Sequence, residues 1–224
     1  MAAFTLPTLI NNYRKTVAVN QLKYAYSTLS QVFTMAQKDY GQMSEWDIES
    51  NFVFDMDSDA QEVNDSLRNF AHKYMKPYLK VMIDCDTGSS KKSQCDYPIY
   101  LEKGVLANTQ QGKTNDYRFI TNNGMIIHLL YDNNKVNYGN GIFLWVDING
   151  KQKPNTYGED LFCMYLKNSR NKFYMYGIGE TRENLLNGHV RGCTHPTSWI
   201  QGQWCGALIQ HDGWQIKDDY PRFK

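Results

Sequence analysis

A stripe of small and apolar residues near the start of the chain constrains the fold more than any other feature. Its members recur at alternating steps of three and four positions, the spacing of one face of an α-helix. They are Leu22, Ala25, Leu29, Val32 and Ala36. Ile10, Tyr13 and Val17 extend the stripe upstream. The spacing predicts a long helix with one apolar face.

The ends of this helix are also marked in the sequence. Pro7 suits a first turn, because its missing N–H would be unpaired there anyway, and Gly41 suits a helix end. We therefore predict one helix over residues 8–40. About 30 helical residues are about 45 Å long, which is longer than one small domain needs. Part of the helix is expected to project or to pack against other chains.

The remaining chain changes from helical to β-rich patterns. A second helix is predicted over residues 59–79, with Pro77 in its last turn. Asn122-Asn123-Gly124 separates two β-rich runs, which is the sequence form of a β-hairpin. Further strands are predicted at 142–148 and 172–178, and a strand or short helix at 160–166. Helices first and antiparallel strands afterwards predict an α+β fold, a long N-terminal helix packed on an antiparallel β-sheet, with a second helix and loop insertions.

The five cysteines favour disulfide bonds. Cys85 and Cys95 bracket a polar loop, which suits a local bridge. Cys193 and Cys205 either form a second bridge, our preferred interpretation, or join His195 and His211 around zinc. Cys163, within an apolar run, is interpreted as a small buried hydrophobe. Bridges indicate an oxidising compartment.

Charge and length exclude several classes of protein. Lys and Arg number 24 against 23 Asp and Glu, a formal net charge of +1, so no overall field attracts nucleic acid or an anionic membrane. With 42% hydrophobic residues, the chain can bury the core of one domain. No stretch reaches the roughly 18 apolar residues of a membrane span, and no export signal is visible. We therefore expect that an N-terminal segment is missing.

Oxygen-bearing side chains cluster in a Gly- and Pro-rich loop that suits a hard cation such as Ca²⁺. They are Asp147, Asn149, Asn155 and Asp160. The EF-hand template fails, because its fifth position is Lys151 and its twelfth, which requires a carboxylate, is Gly158. The alternative is a turn held by hydrogen bonds from Asn and Asp side chains.

The last fifth of the chain is rich in aromatic residues. Trp199, Trp204 and Trp214, with Tyr220 and Phe223, could pack in the core or form a face that binds glycan or protein. Two or more exposed rings on one surface would favour binding.

Nothing in the sequence carries the pattern of an enzyme. Ser198 with His195, and Cys205 with His211, supply residue types for nucleophilic catalysis but no recognised motif. We therefore predict a protein that is not an enzyme.

Three segments resemble a known family. Residues 2–13, Ala-Ala-Phe-Thr-Leu-Pro-Thr-Leu-Ile-Asn-Asn-Tyr, are similar to the middle of the first helix of type IV pilin-like and type II secretion pseudopilin-like proteins, with Pro7 matching their kink proline. Residues 146–160 resemble a loop of the sheet region in pilin-like heads. Residues 205–216 resemble the tail of one bacterial subgroup.

The resemblance implies a structural subunit of an extracytoplasmic pilus or pseudopilus filament, with its apolar half-helix absent. It implies one pilin-like domain over 1–224: the half-helix 1–41, an insertion at 42–115 and a sheet region and tail at 116–224. Its partners would be other pilin-like subunits, joined through the helix. The inner membrane would hold the subunit before assembly, only through the missing segment. Some major pseudopilins hold calcium in a sheet-side loop.

Overall fold

The computed structural model of the chain describes residues 5–46, 60–85, 94–101, 106–107, 116–131, 141–167, 170–189, 191–194 and 202–223. The long helix α1 spans Thr5–Tyr40 and ends at Gly41, whose φ of 78° few residues other than glycine adopt. The other helices are α2 (Ala60–Tyr74), α3 (Arg182–Asn187) and α4 (Cys205–His211). Two short 3-10 helices, Met43–Glu45 and Lys76–Tyr78, follow α1 and α2.

Six strands form one sheet in which every neighbouring pair is antiparallel and spatial order follows chain order. The strands are β1 (Val81–Cys85), β2 (Asp116–Thr121), β3 (Ile126–Tyr131), β4 (Ile142–Asp147), β5 (Leu161–Lys167) and β6 (Lys172–Met175). The sheet is therefore a meander. The predicted α+β fold, a long N-terminal helix with an antiparallel sheet, is confirmed.

The stripe of α1 lies in the core. Its five residues are at most 2% exposed, and they join the buried residues of α2 and of one sheet face in a single apolar cluster. Phe33 of α1 packs on Phe173 of β6 with ring centroids 4.8 Å apart. Trp46, just after α1, stacks on Tyr74 of α2 at 4.2 Å. Burial of the stripe thus fixes the helix to the sheet.

The upstream extension of the stripe leaves the core. Ile10 and Tyr13 are 52% and 70% exposed, and Val17 is partly buried; Leu9, beside them, is 66% exposed. The buried part of α1 begins only at Ala18. The first part of the 36-residue helix, represented by residues 7–17, therefore lies outside the core that holds the rest.

Several element boundaries differ from the sequence prediction for local reasons. The hairpin of β2 and β3 forms around Gly124, at a φ of 88°, and residues 161–167 resolve as a strand. Helix α2 stops at Tyr74, and Pro77 falls in the following 3-10 helix. Strand β6 stops at Met175, because Gly177 and Gly179 turn the chain with φ of 106° and 94°.

The second face of the sheet is also covered. Tyr97, Ile99 and Ala107 pack there against Ile120 and Ile126 in a smaller apolar cluster. Every residue of β2 is buried, on both faces, as this coverage requires. The segment that carries Tyr97 is tied to the end of β1 by the bond between Cys85 and Cys95.

Candidate functional site

The turn over residues 148–160 connects β4 to β5 and holds the residues predicted for calcium. It packs closely on the β2–β3 hairpin, since a Cβ added at Gly150 would lie 2.3 Å from the Gly124 carbonyl oxygen. Gly150 also has a φ of 70°, so this position requires glycine on both counts. The turn is therefore fixed against the sheet end.

Asp160 holds the turn from within. Its two carboxylate oxygens accept the backbone N–H of Asn155 at 2.8 Å and of Thr156 at 2.6 Å. Asn155 has a φ of 52°, which Asn tolerates better than most residues. With the oxygen and nitrogen of its side-chain amide exchanged, the orientation that satisfies both atoms, the nitrogen donates to the carbonyl oxygens of Gln152 at 2.8 Å and Gly150 at 3.2 Å. These are the bonds of a turn stabilised by Asp and Asn side chains.

Asp147 and Asp160 are both buried and interact electrostatically. Burial, followed by the charge of Asp160, raises the pKa of Asp147 well above its usual range. Burial also raises the pKa of Asp160 to about 6, although the bonds from Thr156 and Asn155 oppose this change. The turn therefore encloses two carboxyl groups whose charged forms are disfavoured.

The four residues predicted for calcium do converge, but they are used differently. Asn155 and Asp160 are engaged in the turn, whereas Asp147 Oδ2 and Asn149 Oδ1 are buried and accept no hydrogen bond from the described residues. Within those residues, no three His, Cys, Asp or Glu side chains are grouped to hold a metal ion. Calcium binding stays a prediction.

The same turn anchors the first half of α1. Arg14 Nη2 lies 3.2 Å from Glu159 Oε2, and its guanidinium lies 5.9 Å from the centre of the Phe223 ring. Asn11 donates to the Phe223 carbonyl at 2.8 Å. Between α1, the turn and Phe223 lies an open pocket of about 180 Å³. The first part of α1 and Phe223 therefore meet at this turn.

The C-terminal tail is held on the other side of the turn. The Tyr220 hydroxyl donates to the Gly158 carbonyl at 2.6 Å, and Arg222 donates to the Cys193 carbonyl at 3.0 Å. Tyr220 and Arg222 are both buried. The tail thus links the turn to the disulfide at Cys193.

The structure joins both predicted cysteine pairs, Cys85 to Cys95 and Cys193 to Cys205, with Cα atoms 5.9 Å and 4.9 Å apart. Cys163 is in neither disulfide and is buried, as predicted. Bonded Cys193 and Cys205 leave no thiolates for zinc, and Cys205 is no nucleophile. His195 and Ser198 lie outside the described residues.

The C-terminal tryptophans take separate packing positions. Trp214 packs on Tyr26 of α1, at 5.8 Å between ring centroids, and Lys23 lies above its ring. Trp204 is partly buried against the main core, next to Gly177. Trp199 lies outside the described residues. Binding of glycan or protein by these rings stays a prediction.

A buried polar row on the second sheet face was not foreseen from the sequence. Arg118 of β2 and His128 of β3 are paired neighbours. Arg118 binds Asp116 at 2.5 Å and Asp96 at 3.2 Å, and His128 Nε2 lies 3.1 Å from the Tyr97 hydroxyl. Burial, then Arg118, lowers the pKa of His128 well below its usual range. The sequence signal that could have revealed this row is the presence of the polar residues Arg118 and His128 between apolar residues of their strands.

A second unforeseen cluster ties the end of α2 to the sheet. Lys76 Nζ lies 2.6 Å from the Tyr117 hydroxyl, 2.8 Å from His72 Nε2 and in direct contact with Asp84. Burial lowers the pKa of Lys76, and the contact with Asp84 opposes that change. The arrangement is that of an anchor between α2, β1 and β2.

Together the fold and the two disulfides define an extracytoplasmic α+β domain with a long N-terminal helix on an antiparallel meander. No helix among the described residues has both the length and the apolar character to cross a membrane. The chain belongs to a family described as "Family of unknown function (DUF6613)", whose profile matches residues 8–223. No curated protein and no solved structure matches the chain significantly.

Proposed function

We propose that this chain is a non-catalytic structural subunit of an extracytoplasmic filament, of the type IV pilus-like or type II secretion pseudopilus kind. Its long helix α1 joins it to other pilin-like subunits. The sheet and its loops form the outer surface of the filament. Nucleic acid is not a partner.

The division of α1 is the observation that carries this proposal. A 36-residue helix is about 54 Å long, and its second half alone supplies the stripe that binds the sheet. The first half presents Leu9, Ile10 and Tyr13 to solvent, although the free energy of burial favours covering such side chains. A neighbouring copy of the same helix would cover them.

Two further observations support the proposal. Pro7, which matches the kink proline of pilin-like helices, lies within α1. The two disulfides agree with an extracytoplasmic location.

The test is immunogold electron microscopy of cells that produce the protein from its own gene, with antibodies against this chain. The proposal expects labelled filaments at the cell surface or short labelled assemblies in the envelope. Label spread evenly through the medium or the cytoplasm would reject it.

A variant pair sharpens this test. Ile10→Asp places a charge on the exposed apolar side of α1 and is expected to abolish assembly, while the thermal unfolding midpoint of the purified protein stays the same. Asn12→Asp, an exposed change of similar charge on the same helix, is the matched control and should preserve assembly. Equal assembly of the two variants would contradict a role for the apolar face.

A further inference from the structure

The pocket beside the first half of α1 has the size of a single side chain. Its volume of about 180 Å³ is smaller than the roughly 300–1,000 Å³ of small-molecule sites. It is close to the roughly 150 Å³ of a cavity that accepts one benzene ring. Its apolar walls are formed by Val17, Ala18, Ile148, Pro154 and Phe223. An aliphatic side chain therefore suits it by volume and by chemistry.

The rim of this pocket is basic. Lys153 is exposed on the rim, and exposed Lys151 stands two residues before it. The two carboxylates of the lining are already engaged, Glu159 by Arg14 and Asp160 by the backbone of Asn155 and Thr156. Because Asp160 is buried, an approaching group meets the exposed Lys153 before it meets that carboxylate.

A matching projection lies after β6. Ile178 is 54% exposed at the tip of a turn between Gly177 and Gly179, both at positive φ. The turn is closed by bonds of 3.1 Å from Ile178 N–H to the Met175 carbonyl and from Glu180 N–H to the Gly177 carbonyl. A Cβ added at Gly177 would lie 2.6 Å from the Trp204 ring, so the turn rests directly on that ring. Ile178 is therefore presented on rigid backbone.

The surroundings of Ile178 carry the opposite charge to the pocket rim. Glu180 stands two residues after it, and exposed Glu183 follows in the first turn of α3. Both carboxylates bond only neutral amides among the described residues, those of Asn184 and Asn187. Their charge is therefore available to Lys153 of another molecule.

We propose that Ile178 of one copy inserts into this pocket of a second copy, with Glu180 and Glu183 facing Lys153 and Lys151. The contact rests on the proposed filament function and adds a joint between heads to the joint between helices. It is heterologous, because projection and pocket are different surfaces, so repetition joins many subunits in a chain or ring and not in a closed pair.

The topology places the pocket and the projection at the same end of the sheet. Strands β4 and β6 run in the same direction, since each is antiparallel to β5. The pocket follows β4 and the projection follows β6, so both lie at the same end of the sheet. The contact therefore joins two heads through the same end of their sheets.

Cysteine cross-linking in producing cells tests the contact. Val17→Cys combined with Ile178→Cys is expected to give a ladder of covalent oligomers on a non-reducing immunoblot after mild oxidation. Val17→Cys combined with Leu106→Cys is the control, because Leu106 is also exposed and is not part of the contact. Equal ladders from the two pairs would overturn the proposal.

Charge reversal provides the second measurement. Adding Lys153→Glu to the first pair should lower the linked fraction about threefold, the effect of a surface ion pair, and adding Glu180→Lys as well should restore it. Absence of restoration would overturn the contact. Labelled filaments without a ladder would reject the contact and keep the filament function. A ladder without filaments would keep the contact and reject the filament function.

Discussion

The two halves of α1 differ in everything except their secondary structure. From Ala18 to Ala36 one face is buried against the sheet and α2, whereas from residue 7 to 17 the helix is mostly exposed and contacts the head through Asn11 and Arg14. Packing stabilises the second half directly. The first half continues an existing helix, which avoids the cost of nucleation. Helical structure alone therefore does not reveal which residues hold a fold together.

The largest predicted effect separates these halves. Leu29→Asp places an unpaired charge where Leu29 is fully buried, which costs more than about 3 kcal/mol and is a large part of a domain's stability. The cooperative urea transition followed by circular dichroism should be lost. Leu9→Asp, the same change on the exposed half, should shift the free energy of unfolding by less than about 0.5 kcal/mol. Equal urea transitions in the two variants would show that the two halves of α1 do not differ in their contribution to stability.

An intermediate effect concerns the turn that anchors the exposed half. The pKa of Asp160 is raised from 3.8 to about 6 in the folded protein. Protonated Asp160 therefore contributes fully to the free energy of unfolding below pH 3.8, its pKa in the unfolded chain, and this contribution is lost as the pH rises through about 6. This change in pKa corresponds to a total change of roughly 3 kcal/mol in the free energy of unfolding. Raising the pH also lowers the stability through Asp147, because its pKa is raised in the folded protein. Buried neutral His128 has the opposite effect near neutral pH, because its pKa is lowered.

The quantity to measure is therefore the difference in the free energy of unfolding between the protein and its Asp147→Asn variant. The contribution of His128 is the same in both proteins and cancels in this difference. Removing the charge of Asp147 should make the variant the more stable of the two at pH 7.5, and the difference should shrink towards pH 5 in urea unfolding. A difference that stays constant over this range would show that the pKa of Asp147 is not raised in the folded protein.

The smallest predicted effect is at the contact between Arg14 and Glu159. Both side chains are partly exposed, so Glu159→Gln should cost less than about 1 kcal/mol, and added salt should reduce the loss. Hydrogen exchange by mass spectrometry should show faster exchange over residues 11–18 and no change over 22–36. Glu45→Gln, at an exposed residue after α1, is the control. Faster exchange in both halves would mean that they are not independent.

The sequence predicted the elements whose pattern is long or strongly local. The stripe of α1 repeats over many turns, and Asn122-Asn123-Gly124 marks its hairpin without help from distant residues. Strand β1 was not predicted, because five residues after a helical pattern carry too little periodicity. Helix α4 was not predicted either, since seven residues buried nearly all round show no amphipathic face.

The candidate site divides in the same way. Asp147, Asn149, Asn155 and Asp160 share one turn, so local sequence was enough to group them. Phe223 and Arg14 join that turn from opposite ends of the chain, through contacts that only the tertiary fold creates. Arg118 and His128 meet through strand register, which a single sequence does not reveal. Local chemistry was therefore readable, and the assembly of distant segments was not.

The direction of the buried stripe also has a mechanical consequence. Leu22, Leu29 and Ala36 follow one another along the axis of α1, and all three lie in the same apolar cluster as the sheet. A force that pulls the first residues of α1 along this axis must slide these contacts together, because the helix cannot be peeled from the head one residue at a time. Tension on α1 is thus shared by the whole length of the stripe.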